Sequence, residues 1–410
     1  MSLEGVRVLV SGAGVAGPAV AWWLAEHGAT VTVVEIAKTL RTSGFAVDFR
    51  GSTHLGVLRG MGVLDELTAL RTRGGAMTCV TADGREIFTL PAEFAGGDLE
   101  VRRRDLSRVL YERSAPRVEY LFRDRVTGLV NAPDSVAVEF AHAAPRTFDF
   151  VIGADGLHSG VRVLTHGPET DYVRHLDYYI AGWDLPNPGV DTTPLQYNQP
   201  GRMASVSADR DDETKAGALV VFAAPRVDHD WFDTDRHKAL ITKALTGMGW
   251  HVPKLLDGLR AADDLYFDSI SRVRVPHWST GRVALLGDAA WGVTLGGMGV
   301  GTGLVGAYVL AGELARANGN PAALKSYEDR MRPYTTRWQR GANPGKFLAP
   351  ATASGLWLRN TLFSTAFVRR MLVAGTATMA TADLPDYQPQ NDRRGSTTAR
   401  WAATSESSSD

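Results

Sequence analysis

The first apolar run of the chain, Val6 to Val10, stops at a glycine cluster, SGAGVAG. Apolar positions then recur at helical spacing as far as Gly28, and a second apolar run, Thr30 to Val34, closes on Glu35. An unbroken apolar run suits a strand covered on both faces, and the change of period marks a crossover helix. The pattern predicts a β-α-β unit. Two more buried-type strands end beside an aspartate: TFDFVIGADG reaches Asp155 and GRVALLGDAA reaches Asp288. After Asp288 and Trp291 the chain is glycine-rich to Gly303, and Leu304 to Leu314 carries an apolar helical stripe.

The intervening segments have a different rhythm. TCVTADGREIFTL alternates around an Asp83-Gly84 turn, and YYIAGWDL, MASVSA and GALVVFAA are further short strands. Helical spacing covers Thr234 to Gly249 and Pro253 to Ala262. These predict an antiparallel sheet with helices. Residues Ala353 to Ala380 space Leu, Phe and Met as a long C-terminal helix would. Only Arg359, Arg369 and Arg370 are charged there, so core or interdomain packing is expected rather than a membrane-surface role. From about Gln388 the chain is polar and Ser/Thr-rich, the composition of a disordered tail.

Composition narrows the class. The formal net charge of −1 gives no field favouring nucleic acid. The single cysteine, Cys79, excludes a disulfide framework and a multi-cysteine zinc site. No apolar run of about 18 residues suggests a membrane span, and the N-terminus has no signal-type pattern. The expectation is a cytoplasmic protein with no membrane, nucleic-acid or metal partner. Hydrolase and metalloenzyme signatures do not assemble: there is no G-x-S-x-G, H-E-x-x-H or C-x-x-C. His54, His229 and His251 are the histidines that could act as bases at a substrate site.

Gly12, Gly14 and Gly17 stand at G-x-G-x-x-G spacing after a strand and before a helix. That context calls for a tight turn, close backbone approach to a pyrophosphate, and close helix–strand packing. The helix N-terminus adds free N–H groups and a favourable dipole. Glu35 would accept from ribose hydroxyls and would repel a 2′-phosphate. FAD and NAD both satisfy this unit. Asp155 and Asp288 at two further strand ends suit a longer ligand with more hydroxyls; in FAD, Asp288 would accept from the ribityl chain.

With GAGVAG, GADGLHSGVR and GRVALLGDAA in this order, the chain resembles the class A flavoprotein monooxygenases of the para-hydroxybenzoate hydroxylase type, over about residues 5–380. LRTSGFAVDFRG, DLYFDSISRV and LVGAYVLAGEL are similar to stretches of the tetracycline-inactivating monooxygenases and their actinobacterial relatives. The resemblance implies FAD contacts at Gly12, Gly14, Ala16, Gly17, Glu35, Arg41, Val47, Asp48, Arg103 and Asp288, and at Gly297, Met298, Gly299 and Val300 beside the flavin ring. Asp155 is implied chiefly as a holder of local backbone. The bland readings stand beside these: Arg102 to Arg104 as a solvated basic run, Asp48 as a surface acid, the glycines as a flexible loop.

The fold implied is α/β: a Rossmann-like FAD-binding domain with an antiparallel-sheet substrate domain and a C-terminal bridging helix. Its divisions are FAD-binding 1–73, substrate-sheet strands 74–100, FAD-binding 101–171, substrate domain 172–267, FAD-binding 268–340, C-terminal helical segment 341–385 and tail 386–410. Tyr197, Met203, Phe222 and Trp291 are the candidate substrate-site residues, each also readable as ordinary core. The family's chemistry is reduction of FAD by NADH or NADPH, formation of a flavin C4a-hydroperoxide from O2, and hydroxylation of a planar aromatic or enolic small molecule. A polyketide-type natural product or antibiotic is the implied substrate class, acted on by a monomer or homodimer. Two departures stand out. Trp291 replaces the His or Tyr expected after Gly-Asp-Ala-Ala, and no proline lies between Asp288 and Gly303. They motivate two alternatives: a flavin oxidoreductase without oxygen insertion, and a flavoprotein that binds an aromatic ligand.

Overall fold

The β-α-β unit forms as the apolar pattern dictates. In the computed structural model, which describes residues 1–40, 46–72, 76–92, 96–227, 233–295, 299–339, 343–371 and 380–387, strand Arg7–Ser11, helix Ala16–Glu26 and strand Thr30–Glu35 follow one another. Arg7–Ser11 lies between Thr30–Glu35 and Phe150–Gly153, all parallel. Val118–Phe122 extends the sheet on one side, and Val283–Leu285 with short Ser279–Thr280 on the other. The strand ends leading to Glu35, Asp155 and Asp288 therefore share one edge, where ligands of open α/β sheets bind. Burial on both faces explains why these strands read as continuous apolar runs.

A second, seven-stranded sheet runs Tyr266–Val273, Val173–Pro186, Lys215–Ala223, Arg202–Ala208, Leu195–Gln199, Met77–Val80, Glu86–Leu90. All its pairings are antiparallel except Leu195–Gln199 with Met77–Val80. Its two faces bury separate sets. Tyr179, Trp183, Tyr197 and Phe222 pack beneath helices Thr234–Leu245 and Val252–Ala261. Tyr178, Ile180, Met203, Val221 and Ile270 pack on the other face with Leu295 and Leu348. Leu99–Arg102, near the end of the expected sheet segment, instead pairs with Ala46–Phe49 as a small separate ribbon. The tail expected from residue 388 lies outside the described residues.

Two elements differ from the sequence pattern. The helix expected from Leu304 begins at Gly299 and runs to Arg316. Glycine costs about 1 kcal/mol in a helix relative to alanine, but here it is the contact surface. A Cβ on Gly301 would lie 2.2 Å from the His54 ring, one on Gly306 2.9 Å from Trp291, and one on Gly312 2.1 Å from Tyr387. The C-terminal helix is also shorter than expected. It spans Ala353–Ser364 and stops at Thr365, whose ψ of 125° is extended. It packs on the edge of the second sheet through Phe363 and Arg359, while residues 380–387 lie against the first domain's glycine-rich helix. The link between the parts is thus made by successive segments, not by one helix.

Tyr387 anchors the last described segment. Its hydroxyl donates to buried Glu313, which also accepts from Arg330, and its backbone N–H donates to Tyr308 at 2.8 Å. Tyr387→Phe should lower stability by about 1–2 kcal/mol through the lost hydrogen bond, and Tyr387→Ala by roughly 3–5 kcal/mol through the cavity left. Urea unfolding of both variants reads this; equal midpoints with wild type would show that the segment is not part of the folded core.

Candidate active site

The glycines of the first loop answer to different neighbours. Gly12 has φ of +104°, and a Cβ there would lie 2.6 Å from the Ala154 carbonyl oxygen. A Cβ on Gly17 would lie 1.8 Å from the Gly12 oxygen. Protein contacts therefore require these two. A Cβ on Gly14 would meet nothing within 4 Å, so its bareness serves the open side of the loop. Helix Ala16–Glu26 begins beside it with Val15 at the N-cap, no side-chain cap and no acid in its first turn. Its leading N–H groups are available to an anion. Glu35 accepts from Ala13 N–H at 2.7 Å and Ala37 N–H at 2.9 Å, one per carboxylate oxygen. Each oxygen keeps a lone pair for a ribose hydroxyl.

Asp155 holds its own loop. Its carboxylate accepts from Ser159 Oγ at 2.5 Å and Val161 N–H at 3.0 Å, at the start of helix Gly160–His166. Burial raises its carboxyl against those bonds. Two further residues of the same motif, Arg162 and His158, tie the loop to its surroundings. Arg162, fully buried, donates to the Ala289 carbonyl at 3.0 Å and the Leu157 carbonyl at 2.6 Å, joining the loops that carry Asp155 and Asp288. His158 sits between Glu169 (Nδ1 to Oε2, 3.0 Å) and Asp268 of the second sheet (Nε2 to Oδ1, 3.4 Å). Burial alone would lower its imidazole, but the bonds to Asp268 and Glu169 outweigh this and push it up to about 9.

Asp288 opens a short helix, Asp288–Trp291, with Gly287 at φ of +65°. Its side chain reaches the cleft surface, yet protein closes around it, and this desolvation raises the carboxyl while nearby Arg103 opposes the rise. A Cβ on Gly299 would lie 3.2 Å from Asp288 Oδ1, and Cβ atoms on Gly287 and Gly303 would lie 3.4 and 3.5 Å from the Ala16 side chain. Ala16, Asp288 and Gly299 thus meet where the first loop faces the start of the glycine-rich helix, and Arg103 is near enough to act on Asp288. Val300, half-buried, is in that helix's first turn. Asp48 pairs with Arg50 at 2.5 Å beside half-buried Val47. Burial raises its carboxyl despite Arg50. Arg41, Gly297, Met298 and His229 lie outside the described residues.

The candidate substrate residues divide. Met203 is on the face turned toward Leu295, with half-buried Leu219 and Tyr266. Tyr197 and Phe222 occupy the opposite face: Tyr197 packs on Trp250 and Phe222 on Tyr179 beneath the helices. Strand alternation puts neighbours on opposite faces without saying which face meets the ligand. Trp291 belongs to the core. Its indole N–H donates to Thr302 at 3.1 Å and its ring lies 4.5 Å from that of Trp278. His54 is likewise structural. It accepts from Arg50 N–H on Nδ1, meets the Tyr334 hydroxyl at 2.9 Å, and burial beside Arg50 lowers it to about 3. His251 precedes a helix of the second sheet and packs on Trp250.

Fold and site together define a dinucleotide-binding flavoprotein: an uncapped helix start, a bare Gly14, Glu35, and a further acidic strand end fit the length and polarity of FAD. The family described as "FAD binding domain" matches residues 5–342, and the chain belongs to it, within the class A flavin monooxygenases. The chain is similar to an uncharacterised protein of Mycobacterium tuberculosis (42% identical, 76% of this chain and 85% of that one). It is also similar to a flavin-dependent monooxygenase of an unknown prokaryotic organism (34%, 80% and 86%). The crystal structure of tetracycline destructase Tet(55) covers 94% of this chain and 100% of its own, at TM-score 0.80 and 30% identity. This protein is an FAD-dependent monooxygenase, an oxidoreductase with FAD as cofactor.

Two outcomes test the geometry. Gly17→Ala should yield protein with little bound flavin, read from visible absorbance against total protein; full occupancy would contradict the steric argument. His158 has a folded value above its ordinary one, so its contribution is fully present below pH 6.5 and fades as pH rises through about 9. The groups facing it are Asp268, Glu169 and Arg162, with Arg226 acting on Glu169. Wild type should therefore lose thermal stability relative to His158→Gln between those limits. Parallel curves would remove His158 as the titrating group.

Proposed function

We propose that the enzyme hydroxylates a planar, electron-rich polycyclic molecule, of the aromatic polyketide type, with O2 and a transiently bound NADH or NADPH. The observation that carries this is the approach of Asp288 to the start of helix Gly299–Arg316, with Arg103 acting on Asp288, while the apolar sheet face of Met203, Leu219 and Tyr266 packs with Leu295 just before that helix. The name of the tetracycline destructase neighbour supports the substrate class. Bound FAD supplies the redox and oxygen-activating chemistry that side chains lack.

The chain's residues supply position and environment. The loop Gly12 to Gly17 and the helix behind it hold the pyrophosphate, and Glu35 holds the ribose. Asp288 would accept from the polyol chain. Arg103 and the N-terminal dipole of the glycine-rich helix would favour negative charge on the cofactor. Asp48 and Val47 would contribute further cofactor contacts. The apolar face of the second sheet orients a flat substrate and excludes water. The 172–267 segment acts as the substrate domain, and Tyr197, Phe222 and Trp291 support the fold rather than touch substrate.

The decisive experiment mixes purified yellow protein with NADPH or NADH in air, with and without polycyclic phenols and enols. Flavin bleaching, peroxide and substrate mass are followed. A product heavier by one oxygen atom is expected. Bleaching with peroxide alone for every candidate would favour an oxidoreductase without oxygen insertion, the reading suggested by the missing proline. No bleaching with either nucleotide would favour an aromatic-ligand binding flavoprotein. Asp288→Asn should weaken FAD binding about tenfold, the scale of one hydrogen bond to a charged group. Fluorescence titration of the apoprotein measures this.

A further inference from the structure

The C-terminal helical segment has one anchored side and one bare side. On the anchored side Arg359 donates to the Leu348 carbonyl at 2.9 Å and to Asn198 at 3.0 Å, and Phe363 packs on Phe88 and Phe347. Trp357, Leu358 and Leu362 point away from these, and beyond Thr365 another helical turn exposes Phe367 and Met371. Trp357 is 68% exposed and Phe367 72%. Of the ten exposed large hydrophobic side chains among the described residues, these five fall within fifteen positions. Single exposed apolar residues need no explanation, but a contiguous set marks a contact surface.

Charge selects the occupant. From Asn343 to Ala382 the sequence has four basic side chains and no acidic one, although the whole chain carries 44 basic and 45 acidic residues. The rest of the molecule is therefore net acidic. Arg370 is exposed among the apolar side chains, Lys346 is exposed beside Phe347, and Arg369 is half-buried with its guanidinium on the Phe363 carbonyl. A second copy meeting this face about a two-fold axis would set like charges together. An anionic lipid surface offers the opposite charge to the cations and an apolar layer to the tryptophan, phenylalanine and leucines. No described helix is long and apolar enough to cross a membrane, so the contact is peripheral.

We propose that the Trp357–Met371 face docks on anionic lipid, with Trp357, Leu358, Leu362, Phe367 and Met371 at the headgroup boundary and Arg370 over the headgroups. The docked helix lies on the edge strand Glu86–Leu90 and on Leu195–Gln199 further in, so the second sheet is held beside the bilayer. The inference does not depend on which molecule is oxidised.

Co-sedimentation of the FAD-loaded protein with vesicles tests it. Phosphatidylcholine vesicles containing phosphatidylglycerol should pull down the protein, phosphatidylcholine alone should do so less, and added salt should release it. Arg370→Gln should weaken binding to the anionic vesicles about fivefold, the scale of one basic residue at a charged surface. Trp357→Ser with Phe367→Ser should abolish binding with flavin content unchanged. Absence of wild-type binding to either vesicle overturns the proposal. So does wild-type binding that neither variant reduces. A wild-type dimer that the serine variant makes monomeric assigns the face to a second copy and overturns it too.

Discussion

One buried guanidinium joins the loops on which the site depends. Arg162 has no exposed surface, and a charge so placed is tolerated only where carbonyls and carboxylates replace its water. The Leu157 and Ala289 carbonyls do so, with Glu169 at 3.6 Å. Leu157 follows Asp155, and Ala289 follows Asp288. The two acidic strand ends are thereby fixed to each other as well as to their strands. His158 and Glu169 continue the chain to Asp268 on the second sheet. The cofactor edge and the substrate sheet thus share an electrostatic tie that runs through a desolvated group.

The parallel sheet was legible because burial on both faces leaves an unbroken apolar run, and because each strand end carries chemistry a plain turn does not need. Glu35, Asp155 and Asp288 declare themselves by position after such runs. The second sheet was legible only as strands. Its two faces are both apolar, since one is covered by helices and the other by Leu295 and Leu348. Alternation separates Tyr197 from Met203's face but names neither, and so Tyr197 and Phe222 stand beside Met203 as candidates in the sequence. Arg162 and His158 could have been found by asking what satisfies polar residues inside an otherwise apolar loop motif.

Trp291 shows a related limit. The residue after Gly-Asp-Ala-Ala is expected near the flavin, yet here its ring packs on Trp278 and its indole N–H meets Thr302. The short helix from Asp288 turns the next side chains inward, and Gly306 leaves the space the indole fills. The departure from the family pattern is therefore a repacking beneath the site. Glycines at 301, 306 and 312 belong to the same repacking. They bring His54, Trp291 and Tyr387 against the helix axis, so a glycine stretch that can read as loop forms the start of the most buried helix among the described residues.

That close packing also bears on how the two halves work together. The glycine-rich helix presents its start to the cofactor edge, its flank to the ribbon segment through His54, and its far end to residues 380–387 through Tyr387. None of these contacts has room for a shift of even a methyl group. Motion needed to admit a nucleotide and then a flat substrate must therefore fall elsewhere. The second sheet meets the cofactor side through Leu295, the His158–Asp268 contact, the pairs of Arg102 with Asp209 and Asp211, and backbone hydrogen bonds from Val273 to Gly292 and from Thr294 to Ser271. A seam held largely by ion pairs and backbone hydrogen bonds separates at lower cost than a glycine-packed helix. The fold thus keeps the FAD cradle stiff and leaves its freedom at the edge of the substrate sheet.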